Sequence, residues 1–253
     1  MTRFAEFPNL LRLLVCLAFG ATLACGTREE TADRQGADGA DRASSAQRSL
    51  ANEPAPPTQN VPRIVVLGDS LTAGLGLMPH EAYPALLQQR IHDKGLNFQV
   101  VNAGNSGDTS AAGLSRLDWA LEGNVRVLVV ALGANDGLRG LPVTQLKANL
   151  GRIIERARAR GIAVVLAGME APPNWGAEYT RAFRDVYPTL AKQYDVPLVP
   201  FLLADVAGID RLNQRDGIHP TAEGDRIIAD TVWNVLEPVV MSLGNGTEGA
   251  PGS

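Results

Sequence analysis

The chain has 253 residues, 45% of them hydrophobic and 20% charged, with a formal net charge of −4. That supplies the core of one α/β domain, and the lack of any Lys- or Arg-rich run in the body excludes nucleic acid as a partner, since phosphate binding needs clustered cations. The two cysteines are Cys16 and Cys25, so the body beyond them can hold neither a disulfide nor a thiolate metal site.

Residues 1–24 read as an export signal. Arg3 and Arg12 give a modest basic region ahead of an apolar run, 13–21, that is too short to span a bilayer as a mature helix. The run leads into Thr22-Leu23-Ala24-Cys25-Gly26, which resembles a bacterial lipoprotein box with Thr22 at the position usually held by Leu. Cleavage before Cys25 and lipidation of Cys25 would make the protein an exported, periplasmic, membrane-anchored one; the plainer alternative is an ordinary signal peptide cut nearby. Residues 25–60 are rich in Ala, Asp, Glu, Arg, Ser and Pro, too polar to offset the entropy of ordering, and are expected to form a disordered tether with a random-coil reach of about 30 Å. The tail, 244–253, reads the same way.

Between 61 and 243, short apolar runs alternate with amphipathic segments. Strands are expected at 63–67, 98–102, 125–132, 163–168 and 197–201. Helices are expected at 84–94, 109–121 with Thr109 as cap, 142–160 closed by Gly161, 179–194, and 221–243. This alternation predicts a three-layer α/β/α domain on a parallel five-stranded, flavodoxin-like sheet, without a second domain or internal repeat. In such sheets ligands gather at the carboxyl ends of the strands.

Four motifs fall at those ends: Gly68-Asp69-Ser70-Leu71, Ser106-Gly107-Asp108, Gly133-Ala134-Asn135-Asp136 and Asp216-Gly217-Ile218-His219-Pro220. Ser70, after a tight turn at Gly68, is the candidate nucleophile, because a serine hydroxyl needs an exposed position and a base to take its proton. His219 is the candidate base, imidazole being the side chain that titrates nearest neutrality. Asp216, three residues earlier in a turn, can reach the imidazole Nδ1–H and orient it. The Ser70 and Gly107 backbone N–H groups and the Asn135 amide are candidate oxyanion donors. Taken singly, each has an ordinary explanation: Ser70 as a helix cap, Gly107 and Asn135 as turn residues, Asp216 as a turn aspartate, His219 as a structural histidine. Asp69, Asp108 and Asp136 read as scaffold. Of the other histidines, His92 falls on a solvated helix face and His80 is placed to line the pocket.

In these motifs the chain resembles the SGNH hydrolases, a branch of the Gly-Asp-Ser-Leu esterases and lipases. The match runs over about 61–240, and the segments 101–109 and 194–201 resemble the multifunctional thioesterase, lysophospholipase and arylesterase subgroup in particular. The resemblance implies a metal-free, cofactor-free serine hydrolase of acyl esters and thioesters, with the family's Ser, Gly, Asn and His at Ser70, Gly107, Asn135 and His219 and its acid at Asp216. Leu138, in a loop with two glycine hinges at 137–142, Trp175, in the segment 169–179, and Ile218 are expected to contact a small acyl ester, thioester or lysophospholipid substrate, and the protein is expected to be a monomer. Two rivals stay open: a sugar or peptidoglycan O-acetylesterase on the same scaffold, and a non-catalytic tethered binding module.

Overall fold

The computed structural model describes residues 60–244. The export signal, Cys25, all but the last residue of the tether and the tail beyond 244 lie outside the described residues.

Five parallel strands form one sheet: β1 (Arg63–Gly68), β2 (Gln99–Gly104), β3 (Val125–Ala131), β4 (Ala163–Ala167) and β5 (Leu198–Val199), in the order β2-β1-β3-β4-β5. β1 and β3 are buried along almost their whole length, which is why their sequences are continuous Val/Leu/Ile runs and not alternating ones. The chain reverses its direction of winding between β1 and β3, and an open α/β sheet has a crevice at the carboxyl end of that pair.

Among the described residues eight α-helices connect and cover the strands: α1 (Ser70–Ala73), α2 (Tyr83–Asp93), α3 (Ser110–Ser115), α4 (Leu117–Ala120), α5 (Ala134–Leu138), α6 (Val143–Arg158), α7 (Ala177–Tyr194) and α8 (Ala222–Gly244). α2 packs on α8, and α6 packs on α3 and α7, giving the outer two of three layers. The stripe Leu146, Leu150, Ile153, Ile154 and Ala157 of α6 is buried, at the spacing that puts apolar side chains on one helical face.

Two local readings change. The segment expected as one helix over 109–121 is two, α3 and α4, because Arg116 leaves helical geometry and sends its guanidinium inward to Asp108 Oδ2 (2.6 Å) and the Gly68 carbonyl (2.9 Å). Thr109 caps α3 through its side chain. The loop expected to follow the Asn motif begins instead as α5. Its Gly137 is buried against Ala171 and Phe183, and the Tyr179 hydroxyl donates to the Leu141 carbonyl at 2.8 Å, so 137–142 is pinned at both ends and is not a flap on two hinges.

Candidate active site

Ser70, Gly107 and Asn135 follow the ends of β1, β2 and β3, and Asp216 and His219 share the turn that precedes α8. Ser70 is the first residue of α1, directly after β1. Gly68 ends β1 in so tight a place that a Cβ there would stand 1.9 Å from Thr72 Oγ1 and 2.9 Å from the Ala131 carbonyl, so only glycine lets β1 pass into α1 at this point. Asp69, not Ser70, caps α1, accepting the Leu71 N–H at 3.1 Å. Ser70 is thereby relieved of a capping role, and its own N–H, at the first helical position, has no intrahelical acceptor.

Ser70 Oγ lies 2.9 Å from His219 Nε2, and His219 Nδ1 lies 2.7 Å from Asp216 Oδ2. Asp216 Oδ1 also accepts the backbone N–H groups of Ile218 (2.9 Å) and His219 (3.0 Å). The hydrogen bond from the His219 side chain, then those two backbone donors, hold the Asp216 carboxyl well below the usual carboxylate range. Against an ionised carboxylate Nδ1 carries the proton, which leaves Nε2 to accept from the serine hydroxyl.

Gly107 follows β2 with φ +87°, a backbone conformation that favours glycine, and a Cβ there would meet only the tip of Arg139. Arg139 donates to the Gly107 carbonyl at 3.0 Å, and the Asp108 N–H donates to the Asn105 carbonyl. Asn135 sits in the first turn of α5 and donates from Nδ2 to the Asp108 carbonyl at 3.0 Å, which sets the plane of its amide. The next residue, Asp136, is buried and takes both the N–H (2.7 Å) and the hydroxyl (2.6 Å) of Ser110, tying α5 to the loop that carries Gly107.

Ser70, Gly107, Asn135 and His219 all line one cavity of about 430 Å³, with walls that are mainly apolar. Leu138 and Ile218 are on its wall, as are Met169 to Pro172 at the start of the segment read as a pocket wall, and Phe201 and Leu203, which the sequence reading did not single out. Trp175 is not on the cavity wall. Its ring lies against Gly140 and faces Tyr179 (centroids 6.3 Å apart), so it packs the outside of the loop that Leu138 precedes. His80 is exposed and also off the cavity. Among the described residues no three His, Cys, Asp or Glu side chains stand together as a metal site would require.

Residues 66–227 match the model of the GDSL-like lipase/acylhydrolase family. The chain belongs to this family. It is 44% identical over 178 residues to esterase TesA of Pseudomonas aeruginosa, a stretch that is 70% of this chain and 89% of the relative. It is 40% identical over 178 residues to thioesterase 1/protease 1/lysophospholipase L1 of Escherichia coli K12, covering 70% and 84%. Among solved structures, the SGNH-hydrolase family esterase AlinE4 superposes with a TM-score of 0.59 at 43% identity over 71% of this chain and 96% of that one. The α/β/α fold is that of the SGNH hydrolases, and the chain is a carboxylic ester hydrolase of the serine esterase and thioesterase type.

Proposed function

We propose that Ser70 is the nucleophile, His219 the general base and Asp216 its orienting acid, and that the enzyme hydrolyses esters and thioesters of medium or longer acyl groups through an acyl-enzyme. The observation that carries this reading is the pair of hydrogen bonds linking Ser70 Oγ, His219 and Asp216, 2.9 and 2.7 Å long, at the floor of a largely apolar cavity.

As Ser70 Oγ attacks the acyl carbonyl, its proton passes to His219 Nε2, and the imidazolium is stabilised by the Asp216 carboxylate. The negative charge that develops on the carbonyl oxygen faces the Ser70 and Gly107 N–H groups and the Asn135 amide, donors fixed before the reaction begins. His219 returns the proton to the departing alcohol or thiol. A water molecule deprotonated by His219 then attacks the acyl-enzyme and releases the acid and Ser70. Leu138, Ile218, Met169, Phe201 and Leu203 provide apolar contact for the acyl chain. The names of the relatives, esterase and thioesterase/lysophospholipase, suit a site with one apolar arm and an open leaving-group side. The apolar run at 13–21 and the box ending at Cys25 support export and a lipid anchor on Cys25, with the catalytic domain acting as a monomer on a small acyl ester, thioester or lysophospholipid.

The test is a series of p-nitrophenyl esters from acetyl to palmitoyl, with Ser70→Ala beside the native enzyme. The expected result is an optimum at medium or long chains that disappears with the hydroxyl. Activity restricted to acetyl would transfer the enzyme to the sugar O-acetylesterases, and a folded Ser70→Ala protein with undiminished turnover would remove Ser70 from the mechanism.

A further inference from the structure

Beside the catalytic cavity runs a second, shallower groove of about 490 Å³, and the two share Glu170 and Ala171 as a common wall. Its far side is one stripe of α7: Ala177, Thr180, Arg181 and Arg184, at the three- and four-residue spacing that aligns side chains along a helix. The two arginines are therefore a single turn apart and open to solvent. Neither makes an ion pair or a side-chain hydrogen bond among the described residues; Arg126, Arg152, Arg215 and Arg226 share that state, but Arg181 and Arg184 line one groove together. Asp185 stands four residues from Arg181 on the same helix and still does not close a pair with it. Two uncommitted guanidinium groups thus face a groove next to the site of acyl transfer. A guanidinium is a planar fork of donors that matches phosphate oxygens two at a time, and it stays charged at every pH at which an esterase works.

We propose that this groove holds the phosphate of a phosphate-bearing leaving group while the acyl chain lies in the apolar cavity. The inference rests on the reading of Ser70 as the nucleophile, since that fixes the cavity as the acyl side. The shared chemistry is a phosphate ester on the alcohol or thiol that departs, and two sources present it: a nucleotide-linked acyl thioester and a lysophospholipid. Glu170, at the junction of the two spaces, discriminates between them. Its carboxylate opposes a highly anionic leaving group and complements a zwitterionic headgroup, in which a quaternary ammonium accompanies the phosphate.

The experiment compares kcat/KM on palmitoyl-CoA, on palmitoyl lysophosphatidylcholine and on p-nitrophenyl decanoate, for the native enzyme, Arg181→Gln/Arg184→Gln and Arg181→Lys/Arg184→Lys, with melting temperature as the control for folding. The expected result is a loss of tenfold or more in the Gln pair on at least one phosphate substrate, partial recovery in the Lys pair, and a change under twofold on the neutral ester. Loss on the thioester alone, with a gain there in Glu170→Gln, assigns the groove to nucleotide-linked thioesters. Loss on the lysophospholipid alone assigns it to the zwitterionic headgroup. Equal losses on all three substrates, or none on either phosphate substrate, overturn the proposal. Failure of the underlying reading looks different: Ser70→Ala would then still cleave the neutral ester, whatever the arginine variants do.

Discussion

The two halves of the proposed catalytic constellation, Ser70 as nucleophile and His219 with Asp216 as base and acid, are held in place by different means. The nucleophile half is bolted to the core by buried polar groups from distant parts of the chain: Asp69 (1% exposed), Thr72, Ser110 and Asp136 (2%) surround it, linked through Asp136 to Ser110, Arg116 to the Gly68 carbonyl, and Thr72 Oγ1 to the Tyr83 hydroxyl at 2.7 Å. The base half is a surface turn held mainly by its own hydrogen bonds, with one long-range tie from the Gln214 amide to the Leu75 carbonyl (2.7 Å). The side chain of Asp216 is 47% exposed, the Gln214 N–H donates to the His219 carbonyl (2.7 Å), the Gly217 N–H donates to the Gln214 carbonyl (2.9 Å), and an isolated bridge joins Asn213 to Pro220. A nucleophile must be aligned with oxyanion donors that arrive from two other strands, which only long-range contacts can enforce. A base has one atom to reach, so a turn built mostly from local bonds and a single distant tie is sufficient, at the cost of leaving its acid open to water.

That difference should be largest in the kinetics. Replacing His219 by Ala is expected to lower kcat by about 10⁴–10⁶, since among the described residues it is the one side chain hydrogen-bonded to Ser70 Oγ. Asp216→Ala should cost roughly 10²–10⁴, because the Asp216 side chain is 47% exposed, so water can fill its place and partly take over the orienting role. Single-turnover hydrolysis of a p-nitrophenyl ester measures both. Equal collapse of the two variants would mean that Asp216 is as indispensable as a buried orienter, and the contrast drawn between the halves would be lost.

The bolted half makes a prediction about stability. Asp136→Ala leaves the Ser110 N–H and hydroxyl facing a buried void, and the loss of two acceptors there should destabilise the fold by about 3–5 kcal/mol in denaturant unfolding. Asp136→Asn retains one acceptor and should lose less than half of that. A tolerant Asp136→Ala variant, within about 0.5 kcal/mol of native, would show that α5 and the Gly107 loop are positioned by packing alone.

The same contrast explains what was legible in the sequence. The five strands, the order of the long helices and the Asp216–His219 turn could be read because each is written in residues close together: a β-branched run, a 3.6-residue period, a three-residue spacing. Asp136, Asp108 and Asp69 could be recognised as scaffold, but not what they hold, since Ser110 is 26 residues from Asp136 and the Gly68 carbonyl is 48 from Arg116. α5 escaped because five residues containing Gly, Asn and Asp have the composition of a turn; it is Asp136, through its buried bonds, and the packing of Gly137 that keep them helical. Trp175 was misplaced for a related reason. An aromatic residue in a loop after the fourth strand fits a pocket wall equally well from sequence, and only the contact with Gly140 turns it outward. Phe201 and Leu203 gave no signal at all, because they follow a strand of two residues and reach the cavity only through the sheet order.

Two buried carboxyls, Asp225 away from the site and Asp69 beside Ser70, extend the contrast to pH. Asp225, in the first turn of α8, accepts the Tyr83 N–H at 2.8 Å and so caps α2, which has no side-chain cap of its own; its Oδ1 is buried without a partner. Burial pushes its carboxyl up to about 7, and that of Asp69 up to about 6. A carboxyl raised above its unfolded value holds its proton longer in the folded chain than in the unfolded one. The protein should therefore be most stable below about pH 4 as far as these groups are concerned, and lose that stability as pH rises toward 7. Asp225→Asn should remove much of this slope, on the order of 2–4 kcal/mol between pH 4 and 7, leaving a smaller one from Asp69. Melting temperature against pH for the two proteins is the measurement, and parallel curves would show that Asp225 ionises as freely folded as unfolded.

The smallest effect tests the seam where a solvent-exposed residue reaches into the bolted half. Arg139, just past α5, has one hydrogen bond on the site, to the Gly107 carbonyl, and it makes no ion pair among the described residues. Fixing that carbonyl limits rotation of the peptide on the far side of Gly107, the proposed oxyanion donor, whose φ is +87°. A donor that wanders loses its advantage in the transition state and little in the ground state, so Arg139→Ala should lower kcat about five- to tenfold with KM within twofold, and Arg139→Lys should recover part of the loss. If kcat is unchanged, the Asp108 to Asn105 hydrogen bond alone suffices to hold the Gly107 loop, and the oxyanion side is then held as locally as the turn that carries the base. A change confined to KM would instead make Arg139 a substrate contact, since the loss of a positioned oxyanion donor has to appear in the chemical step.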